Sequence, residues 1–132
     1  MTQSPRITVV AAIIQRDGRF LLTRRLEGTH LAGCWEFPGG KCDAGESHAE
    51  CLTRELREEL DVNGRVGALV LSTTHAYPER TVELHFYETA LQGEPRPMLG
   101  QQMRWVEQGE LGSLEMPEAD AALIDLLSTR TS

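Results

Sequence analysis

The sequence predicts one α/β domain, a mixed β-sheet with helices packed against it. Three observations carry this prediction: an almost unbroken β-branched and alanine run from Ile7 to Ile14, an amphipathic helix beginning after Ser47, and further strand-like segments between that helix and a second apolar helical stripe near Leu127.

In order, Ile7 to Ile14 and Phe20 to Thr23 flank Asp17-Gly18, a pair suited to a tight turn, so the two segments are expected to form a hairpin. Trp35-Glu36-Phe37 is a short strand stopped by Pro38-Gly39-Gly40. Ser47 and Glu50 match a capping box, after which Ala49, Leu52, Leu56 and Leu60 recur on one helical face. Asn63-Gly64 is expected to close this helix. Val66 to Thr74, Thr81 to Ala90 and Gln102 to Val106 are expected strands. Pro117 to Leu127 is an expected helix, with Leu123, Ile124, Leu126 and Leu127 as its apolar stripe.

The chain has 132 residues, 40% hydrophobic and 25% charged, with a formal net charge of −7. That length suits a single domain, residues 1–132, able to bury roughly two thirds of the surface of its unfolded chain. The negative balance disfavours nonspecific attachment to nucleic acid polymers or anionic membranes, which depends on Lys and Arg. No apolar run reaches the roughly 20 residues that span a bilayer, and Met1 to Arg6 does not resemble a signal peptide, so a cytoplasmic location is expected. Cys34, Cys42 and Cys51 form no even set and no C-x-x-C pair, which makes reduced thiols the expectation. With His30 and His48 they share one stretch, but the spacing lacks the paired knuckles of structural zinc sites.

The chemistry is concentrated on the first helix. Arg54-Glu55-Leu56-Arg57-Glu58-Glu59 sets three carboxylates at i, i+3 and i+4, within one narrow arc. Crowded like charges weaken an isolated helix, and a bound divalent cation relieves that penalty. Oxygen-only ligands favour Mg²⁺, or Mn²⁺, over zinc. A Glu-rich face is by itself more often just solvated. The context raises the functional case: Gly39-Gly40 permits close approach of backbone to a ligand, and Glu46, eight residues before Arg54, can pair with it and fix the loop to the helix.

Together, Gly40, Glu46, Arg54, Glu55, Leu56, Glu58, Glu59 and Val62 reproduce the spacing of the Nudix box: Gly, five residues, Glu, seven residues, then Arg-Glu-aliphatic-x-Glu-Glu. The resemblance covers nearly the whole chain and is closest to the MutT-type branch, through Thr23-Arg24-Arg25, His30, Glu36-Phe37-Pro38-Gly39-Gly40-Lys41, Trp105 and Pro117-Glu118-Ala119-Asp120. It implies an α/β/α sandwich around a mixed sheet and Mg²⁺-dependent cleavage of nucleoside or deoxynucleoside triphosphates, with modified ones such as 8-oxo-dGTP among the candidates, to monophosphate and pyrophosphate. It further implies that the Gly39 carbonyl joins Glu55, Glu58 and Glu59 around the metal. Arg24 and Lys41 then become candidates for substrate phosphates or base, and Phe37 and Asp120 for the base pocket.

Two positions depart from the family pattern. Asp61 stands where Gly is usual at the helix end, and Leu99-Gly100-Gln101 stands where the MutT branch often has Glu-Gly-Gln, whose glutamate is a further metal ligand or base. Glu55 or Glu58 is therefore the expected base, unless Glu79, Glu83 or Glu94 moves in. Asp120 is read either as a hydrogen-bond acceptor for a nucleobase or as an ordinary charge at a helix N-terminus. His75, Tyr77 and His85 can line a pocket, although lone strand histidines are more often packing or surface groups. Trp35 is read as core. Rival readings are a cytidine or methylcytidine triphosphate pyrophosphatase, a nucleotide-sugar or dinucleotide hydrolase, and a noncatalytic nucleotide-sensing module. The sequence leaves the oligomeric state open.

Overall fold

The computed structural model describes residues 6–129. Its centre is β1 (Arg6–Ile13), which pairs antiparallel with β5 (Gly39–Lys41) and parallel with β7 (Arg80–Gln92). The edge strand β6 (Asn63–Tyr77) pairs antiparallel with β7, giving the mixed order β5-β1-β7-β6. A second, smaller antiparallel sheet joins β2 (Gln15–Arg16), β3 (Arg19–Arg24), β4 (Trp35–Glu36) and β8 (Met103–Glu107). Helix α1 (His48–Leu60) lies against one face of this assembly, and α2 (Ala121–Ser128) against the other.

The two faces explain the sequence of β1. Val10, Ala12 and Ile14 join Leu52, Leu56 and Leu60 of α1 in one buried cluster. Ala11 and Ile13 join Phe86, Leu123 and Leu127 in the other. A strand covered on both faces has no polar alternation to show, which is why it reads as a continuous apolar run.

The strand pairing corrects the expected hairpin. Asp17 (φ 52°) and Gly18 (φ 76°) do form the turn, but pairing back onto β3 is confined to Gln15–Arg16 and the Ile14 carbonyl, which accepts from the Leu21 N–H (3.0 Å). The rest of the run takes distant partners, β5 along one edge and β7 along the other.

The capping box at Ser47 is present in full: its side chain accepts from the Glu50 N–H, and the Glu50 side chain accepts from the Ser47 N–H. Ala49, however, is exposed, and Cys51 takes its place on the buried face. The helix also ends earlier than Asn63-Gly64. Asp61 closes it in the left-handed conformation (φ 50°), a role its short polar side chain tolerates, and its carboxylate accepts from Arg96 at 2.8 Å. Asn63-Gly64 instead opens β6. A side chain on Gly64 would lie 2.6 Å from Leu56 Cδ1, so this glycine serves packing between strand and helix. Near the C-terminal end, Pro117 caps a 3-10 turn (Glu118–Asp120) that leads into α2, where Leu126 is exposed rather than buried.

Candidate active site

The loop between β5 and α1 is tied to the helix by one guanidinium. Arg54 donates from Nε to Glu46 Oε2 (2.7 Å) and from Nη2 to Glu46 Oε1 (2.9 Å), a bidentate pair. Its Nη1 reaches Glu55 Oε1 (2.9 Å) and Glu58 Oε2 (3.3 Å), and its Nη2 also reaches the Lys41 carbonyl (3.2 Å). Arg54 thus holds the loop and orients two of the three helix carboxylates. The Arg54 pair and the Asp43 N–H hold the Glu46 carboxyl down at about 2.

The three helix carboxylates have different settings. Glu55 packs against Gly40 so closely that a Cβ there would sit 2.4 Å from its carboxyl carbon. Glu59 lines a cavity of about 180 Å³ with Glu36, Arg24, Arg25, Leu99 and Gln101. Glu58 is 58% exposed and reaches back to Arg54. Burial, then the charges of Glu36 and Glu55, pushes the Glu59 carboxyl well above the ordinary range, while the Gly39 N–H opposes this by hydrogen bonding. Burial likewise raises Glu55 and Glu36, against the influence of Arg54 and Arg25 respectively.

Among the described residues, no three His, Cys, Asp or Glu side chains form a ready-made metal cluster. The donor set nonetheless fits a hard cation. Glu55 and Glu59 are neighbouring, desolvated carboxylates beside the Gly39-Gly40 backbone, and all the donors there are oxygens. Carboxylates crowded and desolvated in this way are relieved by a divalent charge.

A second cavity, of about 210 Å³, adjoins the first. Its walls include Phe37, Gly39, Gly40, Lys41, Tyr77, Arg80 and Asp120, and it shares Arg25 and Glu36 with the other cavity. Arg25 is held there by Glu36 (3.0 Å) and by the His30 carbonyl. Asp120 is only 3% exposed, and no described residue donates a hydrogen bond to its carboxylate. Burial first, and Glu36 second, lifts its carboxyl to about 7. Phe37 serves both core and cavity, edge-on to Phe86 with ring centroids 5.9 Å apart.

The binding candidates therefore divide. Phe37, Lys41 and Asp120 line the larger cavity, whereas Arg24 lines the smaller one, where its Nε donates to the Gly33 carbonyl (2.9 Å). Leu99 is 52% exposed at the rim of the smaller cavity, and Gln101 anchors this loop by donating to the Glu59 carbonyl (3.0 Å). The substitute glutamates are all paired: Glu79 with His30 (2.7 Å), which lines the larger cavity, Glu83 with Arg6 (2.7 Å) and Glu94 with Arg16 (3.0 Å).

Sequence reasoning passed over Arg25, Glu36 and Arg80 as individual site residues. Arg25 and Glu36 did lie in segments resembling the MutT branch, and their opposite charges were the available signal. Arg80 had none, because its place depends on the β6–β7 turn. Of the pocket candidates, Tyr77 does line the larger cavity, with its hydroxyl accepting from the Ala119 N–H (3.2 Å). His75 instead pairs with Glu118 (3.1 Å), and His85 with Ser72 (2.7 Å). Trp35 is half-buried against the core.

Comparisons with known proteins agree with this geometry. The chain is 40% identical over 127 residues to an 8-oxo-dGTP diphosphatase of Haemophilus influenzae, covering 95% of this chain and 93% of that protein. It is 38% identical over 120 residues to a CTP pyrophosphohydrolase of Escherichia coli, covering 90% and 89%. Among solved structures, a MutT protein from Methanosarcina mazei superposes with a TM-score of 0.85 at 25% identity, covering 96% of each chain. The E. coli ORF135 protein superposes with a TM-score of 0.79 at 38% identity, covering 94% of this chain and 87% of that one. A NUDIX domain model matches residues 9–126, so the box on α1, the mixed sheet and these likenesses together make the chain a member of the Nudix hydrolase family, of the MutT type.

Proposed function

We propose that the protein hydrolyses nucleoside or deoxynucleoside triphosphates, oxidised or otherwise modified ones such as 8-oxo-dGTP among them, to nucleoside monophosphate and pyrophosphate with the aid of Mg²⁺. The observation that carries this reading is a divided site. One cavity offers aromatic and apolar walls with the buried carboxylate of Asp120 among them, suited to a nucleobase. Its neighbour offers two arginines and an acidic edge, suited to a polyphosphate with its cation.

Glu55, Glu59 and the Gly39 carbonyl would hold the cation, with Glu58 turning in from its exposed position. When bound, a divalent cation offsets charge on the phosphate oxygens and lowers the pKa of water. Arg54 and Glu46 keep the helix carboxylates in place. Arg24 and Arg25 bind phosphate oxygens, and Lys41 adds positive charge at the mouth of the base cavity. Glu58, or Glu55, accepts the proton of the attacking water. Both stand beside the Arg54 guanidinium, which stabilises the charged carboxylate that a base requires.

Asp120 bears on the choice of base. An ionised carboxylate only accepts hydrogen bonds, and a guanine-like ring presents adjacent imino and amino donors where cytosine presents one amino group. This favours a guanine-like base. The likeness to a CTP pyrophosphohydrolase supports cytidine triphosphates as the second reading. The test is a panel of normal and modified triphosphates with Mg²⁺, reading kcat/KM and identifying products. Release of pyrophosphate with a modified guanine nucleotide ranked first is expected. Release of single phosphates, or no turnover across the panel, would overturn the proposal.

A further inference from the structure

Two of the three cysteines meet where the site is assembled. Cys42 follows β5 directly, with its N–H donating to the Thr8 carbonyl (2.9 Å), and is half-buried. Cys51 lies on the buried face of α1, in the apolar cluster against which Cys42 packs. Cys51 Sγ also lies 3.8 Å from the Gly40 carbonyl and 3.9 Å from Arg54 Nη2. Cys34 stands apart, buried near Glu115 and Arg25.

We propose that Cys42 and Cys51 are a site of oxidative modification, joined by a reversible disulfide that clamps the loop carrying Glu46 to α1 and slows turnover. The geometry sets an order of events. Burial keeps Cys51 protonated, whereas Cys42 reaches the surface and is the thiol an oxidant meets. With a small disulfide as oxidant, the Cys42 thiolate attacks one sulfur and expels the other half as a thiolate. Cys51 Sγ, losing its proton to solvent with Arg54 beside the developing charge, then attacks the Cys42 sulfur and expels the second half. Two protein thiols are oxidised, and one oxidant disulfide is reduced to two thiols.

The consequence falls on Arg54. Drawing the two sulfurs into a covalent bond of about 2 Å displaces Cys51 Sγ from its place beside Arg54 Nη2. That same nitrogen donates to Glu46 and to the Lys41 carbonyl, so the clamp shifts the group that orients Glu55 and Glu58.

The test treats the folded protein with diamide or oxidised glutathione, quenches it in denaturant with an alkylating agent, and counts free thiols by intact mass and peptide mapping. The three thiols of the native chain should fall to one, with Cys42 and Cys51 in a single crosslinked species and Cys34 alkylated. kcat should fall several-fold with KM little changed, and a dithiol should restore both thiols and turnover. Cys42→Ser, a change at a half-exposed position, should abolish the crosslink and the loss of turnover, while Cys34→Ser should keep both. A stable glutathione adduct on Cys42, a crosslink involving Cys34, three free thiols after treatment, or a crosslink that leaves kcat unchanged would overturn the proposal.

Discussion

Asp120→Asn should change the protein's stability by an amount that depends on pH. The carboxyl is 3% exposed, and burial with the charge of Glu36 lifts it from an ordinary 3.8 to about 7. Its folded value therefore exceeds its unfolded value, so between those two values the native state holds a proton that the unfolded chain has released. Stability contributed by this group is present below pH about 3.8, falls as pH rises through the window, and is lost above pH about 7. A difference of about 3 units corresponds to about 4 kcal/mol at 1.36 kcal/mol per unit, an upper value because solvent and local relaxation reduce it. Asparagine has nearly the same shape and never ionises. The variant should be more stable than the native chain by about 2–4 kcal/mol at pH 8, with the advantage shrinking toward zero near pH 4. Urea unfolding of both proteins from pH 4 to 8.5 measures this, and the difference between them cancels contributions of groups that do not interact with Asp120, Glu59 among them. A difference that stays flat with pH, or a variant less stable at pH 8, would show that the Asp120 carboxylate is not held desolvated in the cavity. The same variant should reorder the preference among bases, and an unchanged substrate ranking would remove Asp120 from base recognition.

Other expected outcomes concern the acidic edge and its supports. Glu59→Gln removes a buried carboxylate that has no full counter-charge, so it should raise thermal stability without metal while weakening Mn²⁺ binding, read by calorimetry and by paramagnetic relaxation of water. Leu99→Glu adds a carboxylate at the exposed rim of the smaller cavity and should tighten Mn²⁺ binding several-fold; unchanged affinity would place this loop out of reach of the cation. Glu46→Gln breaks the charged clamp on Arg54 and should cost about 10- to 100-fold in kcat with a smaller change in KM, as losses of groups that orient ligands do. Gly40→Ala puts a methyl group 2.4 Å from the Glu55 carboxyl carbon, so turnover should collapse while circular dichroism stays native. Single Glu→Gln variants at Glu55 and Glu58 that both keep substantial turnover would leave neither as the base.

Local physics made some features legible from sequence alone. Ser47 and Glu50 specify a helix start because both groups of the capping box lie within one turn. Glu55, Glu58 and Glu59 share a face for the same reason, since helical spacing is fixed by the backbone, and Glu46 eight residues before Arg54 is near enough to close a loop onto it. Asp17-Gly18 specifies a turn through its own torsions. Other features are non-local and had to wait for the tertiary structure. The run before the turn belongs to the central sheet because β7, some seventy residues on, covers one edge, and both helices cover its faces. Gly64 is a packing glycine only because Leu56 comes to rest against it. The Arg25–Glu36 wall between the cavities, the packing of Cys42 against the cluster that holds Cys51, and the burial that lifts Asp120 to about 7 likewise arise from groups brought together only by folding. The sequence by itself determined which side chains one helical turn or one loop can bring together. Only the tertiary structure decided which of them are desolvated, and desolvation is what turns an ordinary carboxylate or thiol into a site.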